Sequence, residues 1–152
     1  MKKTVVIGCD HGGYELKLPI LAYLNEEGYK VIDVGCDSTD SVNYPVYADK
    51  LCKVISSGEA ELGILICGTG VGMSMAANKH AGIRAACCEN TFSARMTRAH
   101  NDANVLCLGA RVLGAGLAVD MVELFLETEF LGGRHAKRVE MLNELDVKKS
   151  ES

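Results

Sequence analysis

Cys67 ends a short apolar run, Leu62–Cys67 (LGILIC), and is followed by Gly68-Thr69-Gly70-Val71-Gly72. A thiol placed there is equipped for proton transfer. Glycines let main-chain N–H groups approach a ligand with no Cβ in the way. A helix expected to begin near Val71 adds its positive end. Both features bias a thiol toward thiolate. The stretch Leu62–Met73 therefore reads as a base beside an anion-stabilising loop. Other residues able to do chemistry stand at Asp10-His11, His100-Asn101-Asp102, Gly109-Ala110-Arg111, and Arg134 with Lys137 and Arg138.

The elements that must position these groups follow from hydrophobic pattern and glycine punctuation. Apolar runs predict strands at Thr4–Cys9, Lys30–Val34, Leu62–Cys67, Gly82–Cys88 and Asn104–Leu108. Helical spacing predicts helices at Tyr14–Glu27, Val46–Ser57, Val71–His80, Thr91–Ala99, Gly114–Phe130 and Arg134–Leu145. Pro19 inside the first helix marks a kink or a later start. Gly28 and Gly58 stand where C-caps belong. The polar segment Gly35–Pro45 is longer than most connections, which favours function. Strands alternating with helices predict an α/β fold, a Rossmann-like doubly wound parallel sheet covered on both faces. We expect one domain over residues 1–145 and a frayed charged tail over 146–152.

In such sheets ligands bind at the carboxyl ends of the strands. Asp10, His11, Cys67 and Arg111 all fall at such ends, around one crevice. His100-Asn101 follows a helix and precedes a strand, so it belongs at the amino end. It is either a capping turn or a contribution to the crevice of a second subunit. Arg134 and Arg138, four apart, share a helix face. That face is either solvated or a phosphate clamp, since guanidinium forks match phosphate oxygens. Asp10 as a helix N-cap and His11 as a loop-surface residue are the plainer alternatives.

Composition narrows the classes. A formal charge of −4 over 152 residues argues against nucleic acid, which favours a basic stripe. Seven cysteines without C-x-x-C spacing support neither a zinc site nor a thioredoxin-like motif. Most read as small core residues, and free thiols in that number point to a reducing cytoplasm. The apolar part of MKKTVVIGCD is too short for a secretory signal, and no stretch approaches membrane-spanning length. The loop Gly68–Gly72 lacks the dinucleotide G-x-G-x-x-G pattern, and there is no G-K-[ST]. Met73 stands where a cysteine phosphatase would need its arginine.

GCDHGG, ICGTGVGMSMAANK, RAHNDANVLCLGAR and the late Arg134 and Arg138 together resemble the family of ribose-5-phosphate isomerase type B and the galactose-6-phosphate isomerase subunits. The resemblance extends over about the first 145 residues. It implies a homodimer or dimer of dimers, with active sites shared between subunits, no metal or cofactor, and a phosphorylated aldose or ketose as substrate. By the same resemblance Cys67 is the proton-shuttling base and His100 the ring-opening acid/base. Thr69 and the amides of Gly68, Gly70, Val71 and Gly72 match the groups that stabilise an enediolate. Asp10, His11 and Asn101 match sugar or phosphate contacts, and Arg111, Arg134 and Arg138 match phosphate binding. Tyr44, in the polar loop, is expected to border the sugar. Some relatives use a glutamate as base, so this chain resembles the cysteine branch. A hexose-6-phosphate isomerase and a non-catalytic sugar-phosphate sensor are the competing readings, since fold does not fix function.

Overall fold

The computed structural model describes residues 2–151, with side chains through residue 146. Five strands are present: β1 (Thr4–Cys9), β2 (Lys30–Asp33), β3 (Leu62–Cys67), β4 (Ala85–Cys87) and β5 (Val105–Gly109). Six helices connect and follow them: α1 (Tyr14–Glu26), α2 (Tyr44–Ser56), α3 (Val71–Ala77), α4 (Thr91–Asn101), α5 (Ala115–Glu127) and α6 (Arg134–Glu151). The expected frayed tail falls outside the described side chains beyond Asp146.

The strands are parallel and ordered β2-β1-β3-β5-β4. The three central ones are apolar on both faces because both faces are covered. Ile7, Ile64, Ile66 and Leu108 pack with Ile20, Leu24 and Phe125 of α1 and α5. Val6, Leu65 and Cys67 pack on the other face with Leu51 of α2 and Met73 and Ala77 of α3. Fully burying a side chain such as Phe125 contributes roughly 1.5–3 kcal/mol. Among the described residues no helix is long and apolar enough to cross a membrane.

Helix α1 lies against one face and α2 against the other, and β3 lies beside β1 on the side away from β2. The chain thus reverses direction across the sheet between β1 and β3. The carboxyl ends of these two strands flank the crevice where such folds bind ligands.

Several boundaries differ from expectation, each for a local reason. β4 is shorter than Gly82–Cys88, because the Gly82 and Arg84 amides donate to the Asp146 and Asn104 side chains. α2 starts at Tyr44, with Pro45 in its first turn, where the missing N–H has no partner to lose. α3 stops at Ala77, and the His80 ring faces the Ala76 and Ala77 carbonyls and Asp49 on α2. α4 continues through Asn101 to a left-handed cap at Asp102 (φ 47°). α5 ends at Glu127 because the Thr128 hydroxyl donates to the Leu124 carbonyl at 2.6 Å. Pro19 lies inside α1 without dividing it.

Lys17 is 2% exposed, and a buried ammonium is tolerated only when paired. Its Nζ donates to Asp33 at 3.1 Å and to the Cys36 carbonyl at 2.6 Å. This ties the end of β2 and the segment after it to the first turn of α1.

Candidate active site

The glycine loop after β3 is shaped around its thiol. Gly70 has φ +81°, a conformation that side chains rarely adopt, and its N–H donates to Cys67 Sγ at 3.1 Å. Cys67 is 5% exposed, so this donor meets the sulfur in a nearly dry setting. The Val71 N–H donates to Thr69 Oγ1 at 3.3 Å, which leaves the hydroxyl proton available to a ligand. Gly109, at the end of β5, permits close approach: a Cβ there would come within 2.7 Å of the Thr69 carbonyl. The Ala110 and Arg111 amides donate to the Cys67 and Gly68 carbonyls, closing the loop against β5.

The turn after β1 stands beside this loop. Asp10 Oδ1 accepts from the Gly13 N–H at 3.1 Å. Its carboxylate thus closes the turn before α1, although the helix N-cap itself is Gly13. His11 Nδ1 accepts from the Val42 N–H at 3.1 Å, which places the proton of the neutral ring on Nε2. His11, Gly12, Glu15, Thr39 and Arg111 line a crevice of about 500 Å³. The aliphatic part of Arg111 lies across Gly68, with Cδ 3.6 Å from where a Cβ would stand. Cys67 is not among the residues lining that crevice.

Tyr44 belongs to the first turn of α2 rather than to the polar loop. Its ring packs so closely on Gly72 that a Cβ there would meet Cε1 at 2.6 Å. It therefore borders the glycine loop.

His100, Asn101 and Arg138 gather elsewhere. They line a hollow of about 250 Å³ together with His135. The His100 and His135 rings stack with centroids 4.2 Å apart and planes 11° from parallel. Burial, then the neighbouring His100, Arg134 and Arg138, hold the His135 imidazole below its usual range. His135 was not among the sequence candidates. The signal was available: an imidazole between Arg134 and Arg138 shares their helical turn.

The structure therefore keeps Cys67 and His100 apart within one chain. Cys67 pairs with Gly109 and Gly63 pairs with Val105. His100, near the end of α4, precedes Val105 and so falls toward the end of the sheet opposite Cys67. Arg111 lies with the Cys67 end, and Arg134 and Arg138 with the His100 end. Among the described residues no group of three or more His, Cys, Asp or Glu is placed to hold a metal ion.

The chain is similar to known proteins over nearly its whole length. The family model described as Ribose/Galactose Isomerase matches residues 5–142. Ribose-5-phosphate isomerase B of Escherichia coli is 47% identical, across 97% of this chain and 99% of that protein. The solved ribose-5-phosphate isomerase B of Clostridium thermocellum is 52% identical and superposes with a TM-score of 0.94, covering 96% of this chain and 99% of that one. The type B ribose 5-phosphate isomerase of Leishmania infantum gives 45% identity and a TM-score of 0.93, with 98% and 99% covered. A match over nearly the whole chain in sequence and in fold places this protein in the ribose/galactose isomerase family.

Proposed function

We propose that the protein is an aldose–ketose isomerase interconverting D-ribose 5-phosphate and D-ribulose 5-phosphate through a cis-enediolate. Family membership supports the reaction class. The observation that carries the mechanism is Cys67 Sγ, held by the Gly70 N–H at the mouth of the glycine loop. The thiolate of Cys67 removes the C2 proton of the open aldose and returns it to C1, while the O2 hydroxyl proton passes to O1 across the cis-enediolate. Negative charge develops on the two substrate oxygens, and the Thr69 hydroxyl donates to it from a fixed position. His100 exchanges the proton needed to open the furanose ring, a role that suits an imidazole near neutral pH. Arg111, Arg134 and Arg138 anchor the phosphate away from the reacting carbons and so orient C1 and C2. Asp10, His11 and Asn101 contact the sugar or phosphate.

This mechanism needs Cys67 and His100 in one site, yet one chain holds them at opposite ends of its sheet. A homodimer in which each subunit lends His100, Asn101, Arg134 and Arg138 to its partner's crevice meets that need. Seven unpaired cysteines support a reducing compartment, the cytoplasm.

The test is Cys67→Ala. Its kcat on ribose 5-phosphate falls by about 10³, within the range for losing a general base, while sugar-phosphate binding is retained. Turnover near that of the unmodified enzyme would exclude Cys67 as the base. Comparing kcat/KM on ribose 5-phosphate with galactose and allose 6-phosphates decides between pentose and hexose.

A further inference from the structure

Cys87, on β4, is assigned no role by the mechanism, yet it touches the loop that holds Cys67. Its Sγ lies 3.6 Å from the Thr69 carbonyl oxygen, in donor geometry. That carbonyl belongs to the same peptide unit as the Gly70 N–H, which donates to Cys67 Sγ at 3.1 Å. The two sulfurs thus face opposite sides of one peptide group. Gly109 closes a third side, so near that a Cβ would strike the Thr69 carbonyl. A Cβ on Gly70 would stand 3.0 Å from Cys87 Sγ, so the sulfur fills the space beside the loop.

We infer that Cys87 is a positioning residue for the isomerase reaction: its S–H, donating to the Thr69 carbonyl, orients and polarises the peptide whose N–H holds the Cys67 thiolate. Hydrogen bonds in series through a peptide group strengthen one another; here Cys67 is buried, while Cys87 and Thr69 are exposed. The chain S–H···O=C–N–H···S⁻ is such a series. Cys87 can serve only while it keeps its proton. Burial, with the nearby Cys88, Glu89 and Cys67, raises its titration above the ordinary thiol range and keeps the donor in place at neutral pH. No covalent step is involved.

The inference rests on the proposed role of Cys67, and its test separates the two. Cys87→Val retains an apolar side chain of similar size and removes the donor. Cys87→Ser supplies a stronger one. Cys87→Val is expected to lower kcat on ribose 5-phosphate about threefold with KM unchanged, and Cys87→Ser to restore kcat to at least the original value. At pH 7 the rate of iodoacetamide labelling at Cys67 should fall in Cys87→Val and recover in Cys87→Ser. Trypsin leaves Cys67 as the single cysteine of peptide 54–79, apart from Cys87 and Cys88 on peptide 85–95, so mass spectrometry reads Cys67 labelling alone. Equal kcat and equal Cys67 labelling in all three proteins would overturn the inference. So would a loss in Cys87→Val that Cys87→Ser fails to restore, since that marks packing rather than donation. If Cys67→Ala stays active, the base assignment itself fails. If Cys67→Ala is inactive while the Cys87 variants match the original, only the role of Cys87 falls.

Discussion

At the carboxyl end of the sheet, main-chain N–H groups hold the reactive side chains; at the amino end, side chains hold one another. Gly70, Val71, Gly13 and Val42 donate respectively to Cys67, Thr69, Asp10 and His11. Main-chain donors fixed between strand and helix do not reorient when charge appears, which is what an enediolate requires. At the other end His100 is held by the His135 ring. The turn after it is clamped by guanidinium groups: Arg98 Nη1 donates to Asp102 at 3.0 Å and to the Ala103 carbonyl at 2.6 Å. Arg84 Nε donates to the Asp102 carbonyl at 2.9 Å. One end is a rigid main-chain cradle around Cys67, the base of the proposed mechanism. The other is a cationic corner suited to acid/base exchange and to holding an anion.

Three experiments break or sharpen this contrast. The largest effect is expected from mixing. Cys67→Ala and His100→Ala subunits, each nearly inactive on ribose 5-phosphate, should regain about a quarter of full activity after subunit exchange, because each mixed dimer of two-fold symmetry rebuilds one complete site. Demonstrated exchange without recovery would mean that the two ends do not serve one site across subunits.

A smaller effect is expected from the corner's arginines. Arg138→Ala should raise KM about 10- to 100-fold, the equivalent of a lost charged hydrogen bond, with a lesser change in kcat. Arg134→Ala should act in the same direction. An unchanged KM in both variants would remove the anion-holding role from this end of the sheet.

The smallest concerns His135. Its folded-state titration is depressed, chiefly by burial and then by His100, Arg134 and Arg138. Between that depressed value and the ordinary imidazole value near 6.5, the unfolded chain binds a proton that the folded chain does not. The folded state therefore loses stability as pH falls through this window and is unaffected above it. Melting curves of His135→Phe and the unmodified protein should keep a constant Tm difference above pH 7.5. Below pH 6.5 the difference should shift in favour of the variant. A difference independent of pH would show that the stacked ring does not titrate in this range.

The cradle was more legible in the sequence than the corner. Runs apolar at nearly every position mark β1, β3 and β5 because both faces of a parallel sheet are covered. Glycines after Cys67 marked the loop, and the alternation of elements placed His100 at the end opposite Cys67. These signals are local or follow from connection order. The sequence shows His135 between Arg134 and Arg138, but its stacking partner His100 comes from another helix, and pairing between distant segments leaves no periodic trace. β4 is shorter than the pattern predicts: Ile83 reads as part of the run, while the Gly82 and Arg84 amides donate to the Asp146 and Asn104 side chains. α2 starts earlier than the pattern predicts, because Tyr44 reads as part of the polar loop. Pro45 beside it was the overlooked helix-initiation signal.

The strand order has a consequence for synthesis. β4 pairs only with β5, and β5 alone joins it to β3. A nascent chain exposes Ala85–Cys87 from the ribosome before the segment that can accept it. Until Val105–Gly109 emerges, the growing polypeptide carries an unmatched strand and a glycine loop without its Gly109 backing. The last third of translation thus both completes the sheet and backs the loop that holds Cys67, and an interruption before that point leaves an exposed edge open to aggregation.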